Sequence, residues 1–456
     1  MVKWVLNRPP YQVQLEALKR SRKHDKFGLF LEMGMGKSAI ALNSWADQFK
    51  SIETAVVLCP ASFKTEWGVL PSEWGLDVET SVWPQPMTRG TLSVCNFESA
   101  RASAYEPIKW LLDRNDCLLI VDESSAIKNF RSKTSKAVLD LCKRAKAVRL
   151  LNGTPMSQNV MDLFPALKCL GQLNGINPYA FRNRFAVCGG FMGKQVVGYK
   201  NEEELHKLLN ACSYRAMKKD WLDLPEKIYT PVQLEMTNRQ RRHYKEMLED
   251  FITLVGNQEI SATTVIARLE KLRQVSSGLL INEDETVLLE EPKNNPKIKA
   301  SMDIIEGGAG KVILVYYYRK MGEVLFDYMT KQGLQPAYLR GEMKPQEIVE
   351  QKNKFNQDSG CRVLVAQITT SSRGHTLIGG KGNDRCSRMI MFDHTFNMLD
   401  RQQMEDRIHR GEQDRACQYF DLILSPIDAV QLKALKTKQD LVSVVVDAVR
   451  ALGVRW

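Results

Sequence analysis

The chain has 456 residues, 44% hydrophobic and 26% charged, with 64 basic against 53 acidic side chains and a net charge of +11. That length accommodates roughly two to four domains with sizeable cores. No apolar run reaches the ~20 residues that cross a bilayer, and the opening MVKWVLNRPP lacks a signal peptide's apolar stretch. The ten cysteines are scattered singly with no Cys-x-x-Cys pair, which argues against structural zinc and suits a reducing compartment; the basic excess is compatible with a polyanionic partner.

In chain order, Asn7-Arg8-Pro9-Pro10-Tyr11-Gln12 reads as a turn leading into an amphipathic helix that ends near Arg22. Tyr11 could stack on a base and Gln12 could read an adenine edge, though the same residues suit a simple turn and cap. Lys19, Arg20, Arg22, Lys23 and Lys26 read as a solvated basic face or a nucleic-acid contact. Phe27 to Leu31 predicts a buried strand, followed by a turn at Gly34, Met35 and Gly36, then Lys37-Ser38, then a helix with Leu42, Trp45, Ala46 and Phe49 on one face. Strand, glycine turn, Lys-Ser and helix is the layout of a phosphate-binding loop. Glycines let successive N–H groups converge on an anion at the helix's positive end, Lys37 supplies a point charge, and Ser38 supplies a hydroxyl for Mg²⁺. The first glycine of the full pattern is replaced by Leu31.

Thr54 to Cys59 and Leu92 to Cys95 predict further strands. Asp116 to Val121 predicts a buried one ending in Asp122-Glu123. Adjacent carboxylates there are costly unless they hold a metal or a proton. Asp122 suits Mg²⁺ and Glu123 suits the attacking water; solvated strand-end acids are the bland alternative. Ala147 to Leu151 ends in Asn152-Gly153-Thr154. Repeated strand–loop–helix units predict a mostly parallel sheet covered on both faces, with chemistry at the carboxyl ends, where Gly34, Ser62, Asp122 and Thr154 all fall.

From Leu163 to about Gly278 the pattern is mainly helical, with clear candidates at Gln240–Phe251 and Thr264–Arg273, and Asn282–Pro296 reads as a connector. A second α/β series follows: Lys311–Tyr318, Cys361–Ala366, Arg388–Asp393 and Gln418–Leu424. Between its last two strands Gln403, Arg407 and Arg410 stand at i, i+4 and i+7, one face of a helix or helix-like turn. Two guanidinium groups there suit charge developing on a γ-phosphate; a surface helix with ion pairs from Glu405 and Asp406 is the alternative.

Taken together, RPPYQ (8–12), EMGMGKS (32–38), PASFKTEW (60–67), DESSAIKN (122–129), LNGTPMSQN (151–159), the run from Lys219 to LPEK at 227, KVILVYYY and QMEDRIHRGEQ (403–413) resemble the Swi/Snf-type branch of superfamily 2 helicase-related ATPases over nearly the whole chain. The resemblance implies two RecA-like lobes of α/β class, parallel sheets covered by helices with helical insertions near the junction, and ATP with Mg²⁺ between them. It implies an N-terminal lobe at 1–227, a helical protrusion at 228–299 and a C-terminal lobe at 300–456. Arg8, Tyr11 and Gln12 would contact adenine; Met33, Gly34, Met35, Gly36, Lys37 and Ser38 would hold the phosphates; Ser38 and Asp122 would hold the metal. Lys37, Asp122, Glu123, Gln403, Arg407 and Arg410 would carry catalysis. Ser62, Lys64, Lys128, Gly153, Thr154, Thr369 and Thr370 would meet nucleic acid.

The family implies an ATP hydrolase that moves on double-stranded DNA, gripping phosphates in a salt-sensitive, sequence-independent way; the chain is expected to act as a monomer. A strand-separating helicase on branched DNA or RNA is one alternative; no obvious wedge segment supports it, and 180–200 is the stretch where a pin has room. An ATP-switched binding protein without turnover is another, and the intact charged residues argue against it. Two departures stand out: Ser124-Ser125 replace the more frequent Ala-His, and the segment Thr369 to Leu377 is less glycine-rich than its counterpart, with a longer loop at Gly379–Arg385. No appended reader or targeting domain is recognised, no membrane association is expected, and compact chains with the DESS block resemble ATPases of bacteria and their viruses, which implies the cytoplasm of a bacterial or phage-infected cell.

Overall fold

The computed structural model describes residues 3–48, 51–114, 116–153, 159–189, 195–257, 262–281, 285–371, 377–380, 382–411 and 413–437. The chain divides into two compact units, Met1–Asp223 and Leu224–Trp456. In the first, β1 (Lys26–Leu31), β2 (Thr54–Cys59), β3 (Thr80–Val82), β4 (Leu92–Asn96), β5 (Cys117–Val121) and β6 (Ala147–Leu151) are joined, after a small antiparallel hairpin of β7 (Ala186–Gly189) and β8 (Gln195–Tyr199), by β9 (Ser213–Ala216). The seven-stranded sheet has the order β3-β4-β2-β5-β6-β1-β9, with every neighbouring pair parallel.

The strand sequences explain the layering. Val56, Leu58, Leu119 and Val121 face one core, while Ala55, Val57, Leu118 and Ile120 face the other. A period of two with apolar residues at every position is what burial on both faces demands. Helices such as Lys37–Asn43, Lys64–Glu73 and Lys133–Arg144 connect the strands. The predicted helix after Lys37 keeps α geometry only to Asn43, then continues as a π turn, Ser44–Gln48. Arg149, with none of its surface exposed, holds that turn: its guanidinium donates to Ser44 Oγ (3.2 Å), Gln48 Oε1 (2.9 Å) and the carbonyls of His24 (3.2 Å) and Asp25 (2.9 Å).

The second unit contains β10 (Lys227–Gln233), a short antiparallel pair of β11 (Leu279–Ile281) and β12 (Thr286–Leu288), then β13 (Val312–Tyr316), β14 (Ala337–Leu339), β15 (Val363–Gln367), β16 (Arg388–Met391) and β17 (Cys417–Ile423). Its six-stranded sheet, β10-β17-β16-β13-β15-β14, is also parallel throughout. Strand β10 lies at an edge and carries Pro231, which such a position tolerates because no ladder partner needs its N–H. The two helical candidates are the helices Asn238–Asn257 and Ala262–Ser277, which enclose a separate cluster of Tyr244, Leu248, Phe251, Val265, Leu269 and Leu272. The stretch 228–299 thus begins as an edge strand of the second sheet and continues into this helical pair.

Candidate nucleotide site and arginine segment

The carboxyl ends of β1 and β5 bring together the charges that the sequence separates by more than eighty positions. After β1 the chain turns through Gly34 (φ 80°) and Gly36 (φ 75°), both left-handed, and enters the helix at Lys37. At Gly36 the conformation and the space both exclude a side chain: a Cβ would stand 2.0 Å from Gln14 Nε2. Gln14 is buried on the helix Gln12–Ser21, donates to the Met35 carbonyl (3.2 Å) and accepts from Tyr11 N–H (2.9 Å). It props the loop from behind, a role carried by no motif in the sequence. The buried Lys37 ammonium donates back to the carbonyls of Leu31 (2.9 Å) and Glu32 (3.4 Å), so it sits inside the loop's concavity.

Asp122 follows β5 directly and has 6% of its surface exposed. Its carboxylate accepts from the Trp67 indole N–H (2.8 Å) and from Glu123 N–H (2.9 Å). Burial pushes its carboxyl above the usual carboxylate range, against the opposing pull of the Trp67 bond, the nearby Lys37 charge and the Glu123 N–H. An acid held this way is short of positive charge, as a hard-cation ligand should be before its ion arrives. Glu123 takes a left-handed backbone (φ 49°, ψ 56°), rare for a residue with a Cβ and a form of strain that gathers at functional sites. Trp67, 1% exposed, comes from the helix after Pro60-Ala61-Ser62. The sequence marks its motif but not its bond to Asp122.

Ser38, half-buried at the second position of the helix Lys37–Asn43, and Asp122 each carry oxygens of the kind Mg²⁺ takes. Among the described residues no group of three or more His, Cys, Asp or Glu could hold a metal alone.

The other expected residues are more dispersed. Gln12 is exposed in the first turn of its helix, Tyr11 is half-buried at its cap, and Arg8 is exposed with its guanidinium 5.4 Å from the Trp74 ring centre. Met33 is half-buried beside Gly153, whose absent Cβ would lie 3.6 Å from Met33 Cγ. Ser62 is half-buried, Lys64 donates to the Trp83 carbonyl (2.6 Å), and Lys128 is exposed. Thr154 lies outside the described residues, as does 372–376 of the glycine-poor segment. Thr369 and Thr370 belong to the short helix Ile368–Ser371 at the end of β15.

In the second unit the helix Met398–Glu405 ends before the arginines. Gln403 is therefore on the helix, whereas Arg407 and Arg410 lie in the turn after it, and the single helical face expected of all three is not formed as such. Gln403 and Arg407 are buried and Arg410 is half-buried. The turn is held at its start by the Glu405 carbonyl, which accepts from Ile408 N–H (3.3 Å), His409 N–H (3.2 Å) and the Tyr419 hydroxyl (3.0 Å).

Two parallel α/β units, one bearing a phosphate loop and an acidic pair, define a nucleotide-handling protein of the helicase-like kind. A model of the SNF2-related domain matches residues 108–279, and one of the helicase conserved C-terminal domain matches 296–412. The chain belongs to the SNF2-related family of helicase-like ATPases. It is 25% identical to nuclear protein STH1/NPS1 of Saccharomyces cerevisiae, over 91% of this chain and 33% of that one. It is 22% identical to an uncharacterized ATP-dependent helicase of Mycoplasma genitalium, over 94% and 41%, and 25% identical to protein p41 of Acyrthosiphon pisum secondary endosymbiont phage 1, over 84% and 85%. The chain thus spans well under half the length of the first two. The solved Sulfolobus solfataricus SWI2/SNF2 ATPase core in complex with dsDNA shares 20% identity, covering 98% of this chain and 95% of that one, with a TM-score of 0.45. Among the described residues no helix is long and apolar enough to cross a membrane.

Proposed function

We propose that this chain is an ATP-driven motor that moves on duplex DNA and remodels DNA structure or protein–DNA complexes, acting as a monomer in the cytoplasm of a bacterial or phage-infected cell. The observation that carries the reading is the pairing of Lys37, seated in the loop after β1, with the buried Asp122 after β5. In it the loop N–H groups and Lys37 bind the phosphates, with Arg8, Tyr11 and Gln12 toward the base. Asp122 and Ser38 hold Mg²⁺, which when bound neutralises phosphate charge. Glu123 positions and deprotonates the attacking water. Gln403, Arg407 and Arg410 stabilise the charge that develops on the γ-phosphate. Ser62, Lys64, Lys128, Gly153, Thr154, Thr369 and Thr370 meet the DNA backbone, a partner class supported by the chain's basic excess and its SNF2-related family.

One observation favours strand separation instead: the β7–β8 hairpin, with Val187 and Tyr199 exposed on it, falls within 180–200, the stretch a pin would occupy. ATP hydrolysis measured with duplex, single-stranded and forked DNA and with RNA decides. Strong stimulation by duplex DNA that Lys37→Ala and Glu123→Gln both abolish supports the motor. Equal stimulation by single strands or RNA supports the helicase, and no turnover in any condition leaves only the ATP-switched binder.

A further inference from the structure

The chain enters the second unit at Leu224, and most of the next few residues bind the arginine segment or the strand that follows it. Pro225 O lies 2.9 Å from His409 Nε2, and Glu226 O accepts from Cys417 N–H at 2.9 Å. Lys227 Nζ is 3.2 Å from Glu405 Oε2 and 3.3 Å from Asp406 Oδ1, and the Tyr229 hydroxyl donates to Glu405 Oε2 at 2.8 Å. On the other side Arg401 Nε donates to Glu405 Oε1 at 2.6 Å and its Nη1 to Asp421 Oδ1 at 2.6 Å. The Glu405 side chain, 6% exposed, is thus gripped by three donors, and its own carbonyl holds the turn on which Arg407 sits.

We infer that Pro225–Tyr229 is a strut that fixes the turn bearing Arg407 and Arg410, with Lys227 as its positioning residue. This rests on the reading that those arginines serve the nucleotide. The physical case is that a buried carboxylate losing one of its two cationic partners is under-compensated and shifts. Lys227 has the charge to prevent that: burial pulls its ammonium down, yet Asp406 and Glu405 together hold it above the ordinary lysine range. Lys227 touches no substrate in this scheme, so its loss acts on turnover and leaves nucleotide capture by the first unit alone.

The test compares the full-length protein with Lys227→Met, Lys227→Arg and Tyr229→Phe by hydrogen exchange, nucleotide binding and steady-state hydrolysis. In Lys227→Met the amides of Arg407, Ile408 and His409 exchange about tenfold faster, the scale of one charge-assisted bond. kcat falls by about tenfold, while KM for ATP and the Kd of a fluorescent ADP stay within about twofold. Lys227→Arg restores most of both, and Tyr229→Phe moves them the same way by less. Unchanged exchange in Lys227→Met overturns the strut, as does a change confined to KM. Should the unsubstituted protein hydrolyse no ATP, the motor reading falls while the exchange comparison still decides the strut.

Discussion

Substituting alanine for Gly36 strains the phosphate loop in two separable ways. The residue's φ of 75° costs a Cβ-bearing residue about 1–2 kcal/mol. The new Cβ would also meet Gln14 Nε2 at 2.0 Å, so the amide has to leave and forfeit its bonds to Met35 O and Tyr11 N–H. At ~0.5–1.5 kcal/mol per bond that adds about 1–3 kcal/mol. If the whole strain, roughly 2–5 kcal/mol, falls on the phosphate-ready loop, nucleotide affinity drops by about 30-fold or more. Gln14→Ala alone removes the prop and costs only the bonds. In the double variant the clash is gone but the Gln14 bonds are still lost, so its loss is about that of Gly36→Ala alone, smaller than the sum of the two single losses, and exceeds that of Gln14→Ala by the φ strain. Titration of a fluorescent ADP into all four proteins reads this directly. Undiminished affinity in Gly36→Ala, or strictly additive losses, would refute the role assigned to Gln14.

Trp67→Phe deletes the indole donor to Asp122. Because burial raises that carboxyl in the folded chain, its ionisation opposes folding: the penalty is absent below the unfolded value near ~4, grows as pH rises above it and levels off past the folded one. The variant should lose ~1.5–3 kcal/mol of first-unit stability at pH 8 and clearly less at pH 4; denaturant unfolding at both pH values checks it, and equal losses would mean that only packing was removed. Arg149→Met leaves three carbonyls and two side chains without this donor around the π turn and should destabilise the first unit by about 3 kcal/mol or more, read from the shift of its urea midpoint. Affinity for duplex DNA should fall steeply between 50 and 200 mM salt, by about 10³-fold if roughly six phosphates are contacted, in a fluorescence anisotropy titration; a flat salt response would exclude backbone gripping.

Central strands announce themselves because they are apolar at every position, and Val56–Leu58 or Leu118–Val121 could be little else. Strand β10 is silent: at a sheet edge it has only half-buried and exposed residues and contains a proline, so its sequence KIYTPVQ carries no burial signal. The three-residue strands β3 and β14 are too short for periodicity to register. At the nucleotide site the loop, Lys37 and the acidic pair are legible because phosphate chemistry restricts residue type. Gln14, Trp67 and Lys227 are not, because each acts by supporting another side chain or loop across 21, 55 and 178 positions respectively, and nothing local distinguishes a supporting residue from a core one. The arginine turn is half legible: composition identifies the residues, but the Tyr419 hydroxyl that bonds the Glu405 carbonyl at the start of the turn comes from 14 positions away.

All ten cysteines are free thiols, nine of them buried, with Cys188 on β7 the exception. Burial pushes the thiols of Cys95, Cys117, Cys212 and Cys386 up to about 12, leaving almost no thiolate at neutral pH. A maleimide dye would therefore attach at one place on the folded wild-type chain, without engineering a background. That place is the hairpin on which the strand-separating alternative depends, so one label would report in real time whether a fork junction reaches it.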